Sequence, residues 1–259
     1  MRARTKKVLF SWTILVYIFF YVPILILMIY SFNDSKISTS WQGFTFDWYN
    51  KLFSNSAIGS AVLNSLTVAL FTTLISLIIG TTAAIALYRY DFPGKKYIDL
   101  LFYLPIVIPP IIIGVALLTV YARLKVALGI QTIIPGHVVL TTPFVTMLVM
   151  SRLQGFDHSL EDAAKDLGAN AWNTFWRVTL PLIFPSILSG ALLSFTISVD
   201  EFVVSFFTTG PGASTLPVMI YSMVRTGVTP EINALSTIMI LVTVFVVLLA
   251  EKWRGTLNN

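Results

Sequence analysis

Cysteine is absent from all 259 residues, which excludes a disulfide framework and thiolate metal sites. Charge is scarce: only 11% of the residues are Asp, Glu, Lys or Arg, where a soluble domain carries roughly a quarter. No phosphate-binding Gly-x-x-x-x-Gly-Lys-Ser/Thr loop occurs. Gly94-Lys95 is followed by Lys96, and Arg89 stands where the first glycine belongs. There is no His-Glu-x-x-His zinc pair and no nucleophile elbow. The chain is therefore expected to be no enzyme, to hold no cofactor or metal, and not to bind ATP itself.

What is there is apolar and continuous. Hydrophobic residues make up 56% of the chain and gather in six stretches, at about 8–32, 63–88, 97–121, 133–150, 183–207 and 232–250. Each approaches or exceeds the ~20 residues that cross a bilayer as a helix. Backbone groups in lipid must be paired within their own segment, and a β-barrel would alternate apolar and polar residues. The expectation is an all-α, polytopic membrane bundle of six transmembrane helices. The first stretch follows Arg2, Arg4, Lys6 and Lys7 like the core of a signal peptide. It is too long for one and has no small-x-small cleavage site, so it reads as a retained span.

The net charge of +5 does not point to nucleic acid, because the basic residues sit at the ends of the apolar stretches. Twelve Lys and Arg fall on one side, in the N-terminal tail, 89–96, 152–177 and the C-terminal tail. Five (Lys36, Lys51, Arg123, Lys125, Arg225) fall on the other. The positive-inside rule then places both termini in the cytoplasm of a multi-pass inner-membrane protein. Trp41, Trp48 and Trp253 lie near span boundaries, as interfacial aromatics do. With no internal repeat or low-complexity tract, residues 1–259 read as one membrane domain, its core at about 57–250.

Within the spans, Pro105, Pro109 and Pro110 predict a kink in the third. Asp200 and Glu201 fall about 27 Å along the fifth, toward its far end, at ~1.5 Å per residue. Acids at such a depth face protein or a wet path. They are candidates for receiving a cationic solute, or for pairing with a neighbouring helix. Thr229-Pro230-Glu231 reads as the start of the last helix, with Glu231 favouring its dipole. His137 reads as a hydrogen-bonded core residue and His158 as a solvated one.

The loop at 152–182 is long, and such loops are usually functional. Ser159 is expected to cap a helix, with Asp162 in capping-box spacing. Leu160, Ala164, Leu167 and Ala171 share one face. Gly168 is expected to end that helix in the left-handed region, Asn170 or Asn173 to start a second, and Leu180-Pro181 to break it before the fifth span. The small, Ala-rich face suits a docking knob for a soluble partner better than a lipid anchor. Lys165 and Asp166 either pair with that partner or face water.

Asp162-Ala163-Ala164, then Gly168, Val178 and Leu180-Pro181, are spaced like the EAA loop of ABC-importer permeases. That family has Glu and Ile where this chain has Asp162 and Val178, and Glu161 is adjacent as a partial substitute. The resemblance extends over 84–95, 151–168, 193–210 and 220–238, and is nearest to permeases of polyamine importers. Pro110 stands where an acid is expected in those. The resemblance implies a type I ABC-importer permease fold in which Glu161, Asp162, Ala163, Ala164, Gly168, Leu180 and Pro181 couple to an ATPase. It implies as partners a second permease in a heterodimer, two ATP-binding subunits that hold ATP and Mg, and a periplasmic or lipid-anchored substrate-binding protein. Loops 33–56 and 208–230 are candidate surfaces for the last. The expected cargo is spermidine or putrescine, with another organic cation or an amino-acid-like solute as the alternative. A secondary transporter would show paired repeats around a midplane site, and an intramembrane enzyme a nucleophile with its base. Neither pattern is found, and neither accounts for the loop.

Overall fold

A computed structural model of the chain describes residues 3–35, 40–227 and 230–257, with side chains described for 6–35, 40–225 and 230–244. The described residues are almost wholly helical. In chain order they form α1 (Ala3–Tyr30), α2 (Asp47–Ser54), α3 (Ser56–Arg89), α4 (Lys95–Val107), α5 (Pro110–Leu124) and α6 (Ile130–Gln154). Then come α7 (Ser159–Asp166), α8 (Ala171–Thr174), a π turn (Phe175–Thr179), α9 (Leu180–Asp200), α10 (Val203–Thr208), α11 (Leu216–Thr226) and α12 (Pro230–Leu257). Two compact units result, Met1–Gly59 with Ile220–Asn259, and Ser60–Met219.

In the first unit, α1 exposes large apolar side chains on every face, from Val8 and Phe10 to Leu25 and Ile29. A helix apolar all round needs lipid or protein as its solvent. The loop behind it is organised by the buried Asn33. Its Oδ1 accepts from the Gln42 N–H at 2.8 Å, its Nδ2 donates to the Ser40 carbonyl at 2.7 Å, and its own carbonyl accepts from Trp48 Nε1 at 2.7 Å. Trp48 is thus only 8% exposed and clasps the loop, while Trp41 remains half exposed. In the same segment Phe32 stacks on Phe44, with Phe46 edge-on to both and Tyr49 tilted against Phe32. Asn55 donates to Glu231 at 3.3 Å in the first turn of α12. Thr229, the expected cap of that helix, lies outside the described residues.

In the second unit, Ala84 of α3, Val145, Val149 and Leu153 of α6 and Ile183 of α9 form the buried core. Small residues bring these helices together. A Cβ on Gly80 would stand 2.8 Å from Val145, and one on Gly190 3.4 Å from it. Hydroxyls bond across the same seam, with Ser76 2.7 Å from Thr141. Small side chains and interhelical hydroxyls are what hold helices together where apolar burial supplies no drive.

Four described helices are long and apolar enough to cross a membrane, or five if a bent pair is one span. That pair is α4 and α5, which meet at 108°. The third predicted span is therefore broken rather than kinked. Ile108 precedes a proline and is extended, Pro109 supplies no N–H, and Pro110 begins the new helix at its favoured first position. The fifth stretch stops being one helix at Asp200. The sixth lies in α12, whose side chains beyond Val244 lie outside the described residues.

Candidate functional site

The 152–182 loop folds as two helices at a sharp turn. Asp157, not Ser159, starts the first. Its Oδ1 accepts the Ser159 N–H at 3.0 Å, and Ser159 is already helical. Hydrogen bonds from the Ser159 hydroxyl and backbone hold the Asp157 carboxyl below its ordinary value of 3.8. Gly168 ends α7 at φ +87°, as the sequence predicts. Asn170 then caps α8, its Oδ1 accepting the Asn173 N–H at 2.9 Å. The expected break at Leu180-Pro181 does not occur. The helix continues from Ala171 to Asp200. A π turn ends just before Leu180 and Pro181 follows in the first turn of α9, where its missing N–H costs least.

Adjacent acids on α7 face opposite ways. Glu161 points inward and is 6% exposed. Its Oε1 takes an ion pair from Arg89, the last residue of α3, and a hydrogen bond from the Thr179 hydroxyl at the end of the π turn. Arg89 also donates to that hydroxyl at 3.2 Å. Removing either charge would leave the other half-satisfied and, on the Glu161 side, buried, a loss on the order of 3–5 kcal/mol for a fully buried pair and less here because Arg89 is partly exposed. The Glu161 carboxylate is thus engaged within the chain. Asp162 is exposed and meets Lys165 at 2.9 Å. His158 is only partly solvated. Its ring stacks on Tyr88 with centroids 5.9 Å apart, and Nε2 lies 3.0 Å from the tyrosine hydroxyl. An open pocket of about 570 Å³ is lined by Tyr88, Arg89, Tyr90, His158 and Glu161.

The other side of the loop is uncovered. Leu167 is 90% exposed, Trp172 67% and Leu160 46%, and Ala163, Asp166 and Gly168 are exposed beside them, with Ala164 half-buried. Leu180 is half-buried and Pro181 exposed.

At the far end of α9 the two candidate acids also separate. Asp200 is exposed, and no hydrogen bond or ion pair to it is found among the described residues. Glu201 is extended and turns its Oε1 back to accept the Val204 N–H at 2.9 Å, capping α10. The break is held by His137 of α6, 1% exposed, with Nδ1 2.8 Å from Ser198 Oγ in α9 and Nε2 2.8 Å from Ser205 Oγ in α10. His137 is the hydrogen-bonded core residue expected. A Cβ on Gly136 would stand 2.5 Å from Val204, and Thr132 donates to the Thr208 carbonyl at 2.8 Å. Neither Arg89 and Thr179 nor Ser198 and Ser205 carried a periodic signal in the sequence, because each finds its partner more than 15 residues away.

The profile of the "Binding-protein-dependent transport system inner membrane component" family matches residues 76–257, a segment that includes the loop and the break. The chain belongs to this family. Among relatives of this inner-membrane transport component, the spermidine/putrescine transport system permease protein PotC of Haemophilus influenzae is 42% identical over 236 residues, 91% of this chain and 92% of that one. The putrescine transport system permease protein PotI of Escherichia coli is 43% identical over 229 residues, 86% of this chain and 82% of that one. The fold matches a chain of a bacterial ABC transporter that imports the acidic polysaccharide alginate, at a TM-score of 0.75 and 16% identity, covering 98% and 99% of the two chains. The chain is thus a homologue of permease subunits with an ABC-importer permease fold.

Proposed function

We propose that this chain is one non-catalytic permease half of an ATP-driven importer of polyamines. It pairs with a second, related permease, two ATP-binding subunits dock on the cytoplasmic side, one of them at the 152–182 loop, and a substrate-binding protein delivers the cargo on the opposite side. The observation that carries the coupling role is the orientation of α7: Glu161 is buried into the chain, while Asp162, Ala163, Leu167 and Gly168 are left outward. An exposed leucine on a short braced helix fits insertion into an apolar groove on a soluble subunit. ATP binding draws two such grooves together, the loop follows, and the path opens outward. The twelve Lys and Arg on the loop's side support a cytoplasmic position for it and for both termini.

The names of the relatives supply the cargo class. Asp200, exposed at the carbonyl end of α9, is the residue we assign to the cargo path, since a helix C-terminus and a carboxylate both favour a cation. Glu201 contributes there through the shape of the break. The decisive measurement is ATP hydrolysis by the reconstituted complex with its binding protein, scanned over spermidine, putrescine and unrelated solutes. Stimulation by polyamines, reduced about tenfold or more by Asp200→Asn with assembly intact, is the expected outcome. Stimulation by another solute alone would keep the permease role and discard the cargo, and absence of any associated ATPase would sink the reading.

A further inference from the structure

The loop is joined by the chain to α6 before it and to α9 after it, and it also holds a third span. α7 continues covalently through α8 and the π turn into α9. It is also gripped by the end of α3, a helix 72 positions earlier in the chain, through the Arg89–Glu161 ion pair. Thr179 closes a triangle, donating to Glu161 and accepting from Arg89 at 3.2 Å. Next to it the His158 ring lies nearly parallel to Tyr88, at 5°, and within hydrogen-bond distance of its hydroxyl. Glu161 is one of the few buried charges among the described residues. Burying it only makes sense if its two partners hold it, because an unpaired buried carboxylate is costly.

This arrangement has a mechanical consequence. A push on the outer face of α7 reaches α9 through the turn at Gly168 and then along the helix from Ala171, and that path runs through a π turn, where the hydrogen-bond ladder is locally widened and compliant. The path to α3 has no covalent shortcut; its charged link is the Arg89–Glu161 pair, with the Arg89–Thr179 bond and the Tyr88–His158 contact beside it. We propose that Glu161, clamped by Arg89 and Thr179, is a positioning residue that makes α3 move together with the coupling helix, so that one ATP-driven displacement shifts α3 along with the spans the loop joins covalently. The inference rests on the reading that α7 meets an ATPase. It adds which span is engaged and through which atoms. It also gives the two adjacent acids separate tasks, with Asp162 on the partner's side and Glu161 on the chain's own.

The test is the number of cargo molecules moved per ATP hydrolysed in proteoliposomes of the whole complex with its binding protein, using spermidine. Glu161→Ala and Arg89→Ala should lower that ratio by about fivefold or more, a loss of roughly the smallest usual coupling between sites. The exchange Arg89→Glu with Glu161→Arg should recover part of it, which a general loss of packing would not allow. Thr179→Val keeps shape and removes only the bridging hydroxyl, and should lower the ratio more modestly, by about twofold. It serves as the deciding variant should the charge deletions fail to assemble. An unchanged ratio in Thr179→Val and in every charge variant that assembles would overturn the inference while leaving the wild-type importer, and the functional reading, intact. A wild-type complex without ATPase would overturn both.

Discussion

A buried imidazole with both nitrogens engaged holds two helices at once. His137 meets Ser198 on one side of the break and Ser205 on the other. A neutral ring donates from one nitrogen and accepts at the other, so one hydroxyl must accept while the second donates. His137→Leu retains bulk but strands two buried hydroxyls, each worth roughly 1–3 kcal/mol when left unpaired. The variant should unfold at lower denaturant concentration than the parent in detergent, with Ser198→Ala and Ser205→Ala each showing part of the loss. Equal midpoints for all four proteins would mean that the ring fastens nothing. Residue by residue, the sequence was legible where chemistry is local. Gly168 takes a left-handed φ because it ends a helix, and Asn170 caps because its amide reaches three residues on. Which of Glu161 and Asp162 points inward was not legible, because nothing in a linear reading distinguishes an inward from an outward acid one position apart.

Helix α7 has only eight residues, too short to persist alone in water. It exists because both ends are tied, by Asp157 at the start and Gly168 at the finish, with Glu161 pinned in between. Gly168 has no heavy atom within 4 Å of an added Cβ, so the cost of Gly168→Ala is purely conformational, about 1–2 kcal/mol for a non-glycine residue at φ +87°. Such a variant should pack its core normally yet lose protease resistance within the loop, read by limited proteolysis and mass spectrometry. If the loop stays as resistant as the parent's, the turn tolerates the strain and the mechanism assigned to Gly168 is wrong. At this scale prolines behaved in two ways. Pro109 and Pro110 are adjacent, so two donors vanish together and the helix turns through 108°. Pro181 lies in the first turn of α9 beside a π turn that absorbs it, and the helix carries on. Counting prolines does not separate these cases; the hydrogen bonds available to the neighbouring carbonyls do.

The absence of cysteine makes orientation directly measurable in the whole molecule. Single cysteines at Lys96 and Lys165 should react with a membrane-impermeant thiol reagent only from the cytoplasmic side of oriented vesicles. One at Lys51 should react only from the other side. The reverse pattern would invert the topology argued from Lys and Arg. The helical nature of the apolar stretches and the long loop with its motif followed from composition and order alone, because a bilayer forces every backbone donor to pair within its own segment, while the break of the third stretch did not. Membership in a permease lineage was legible for the same reason, since a spacing of Asp162-Ala163-Ala164, Gly168 and Leu180-Pro181 survives in the linear chain. Tertiary structure alone decided which acids are available. Glu161 is claimed by Arg89, Glu201 by the Val204 amide, and Asp162 and Asp200 are left outward. The reason is that a carboxylate's availability depends on donors brought to it from distant parts of the chain, and the sequence carries no periodic sign of those approaches.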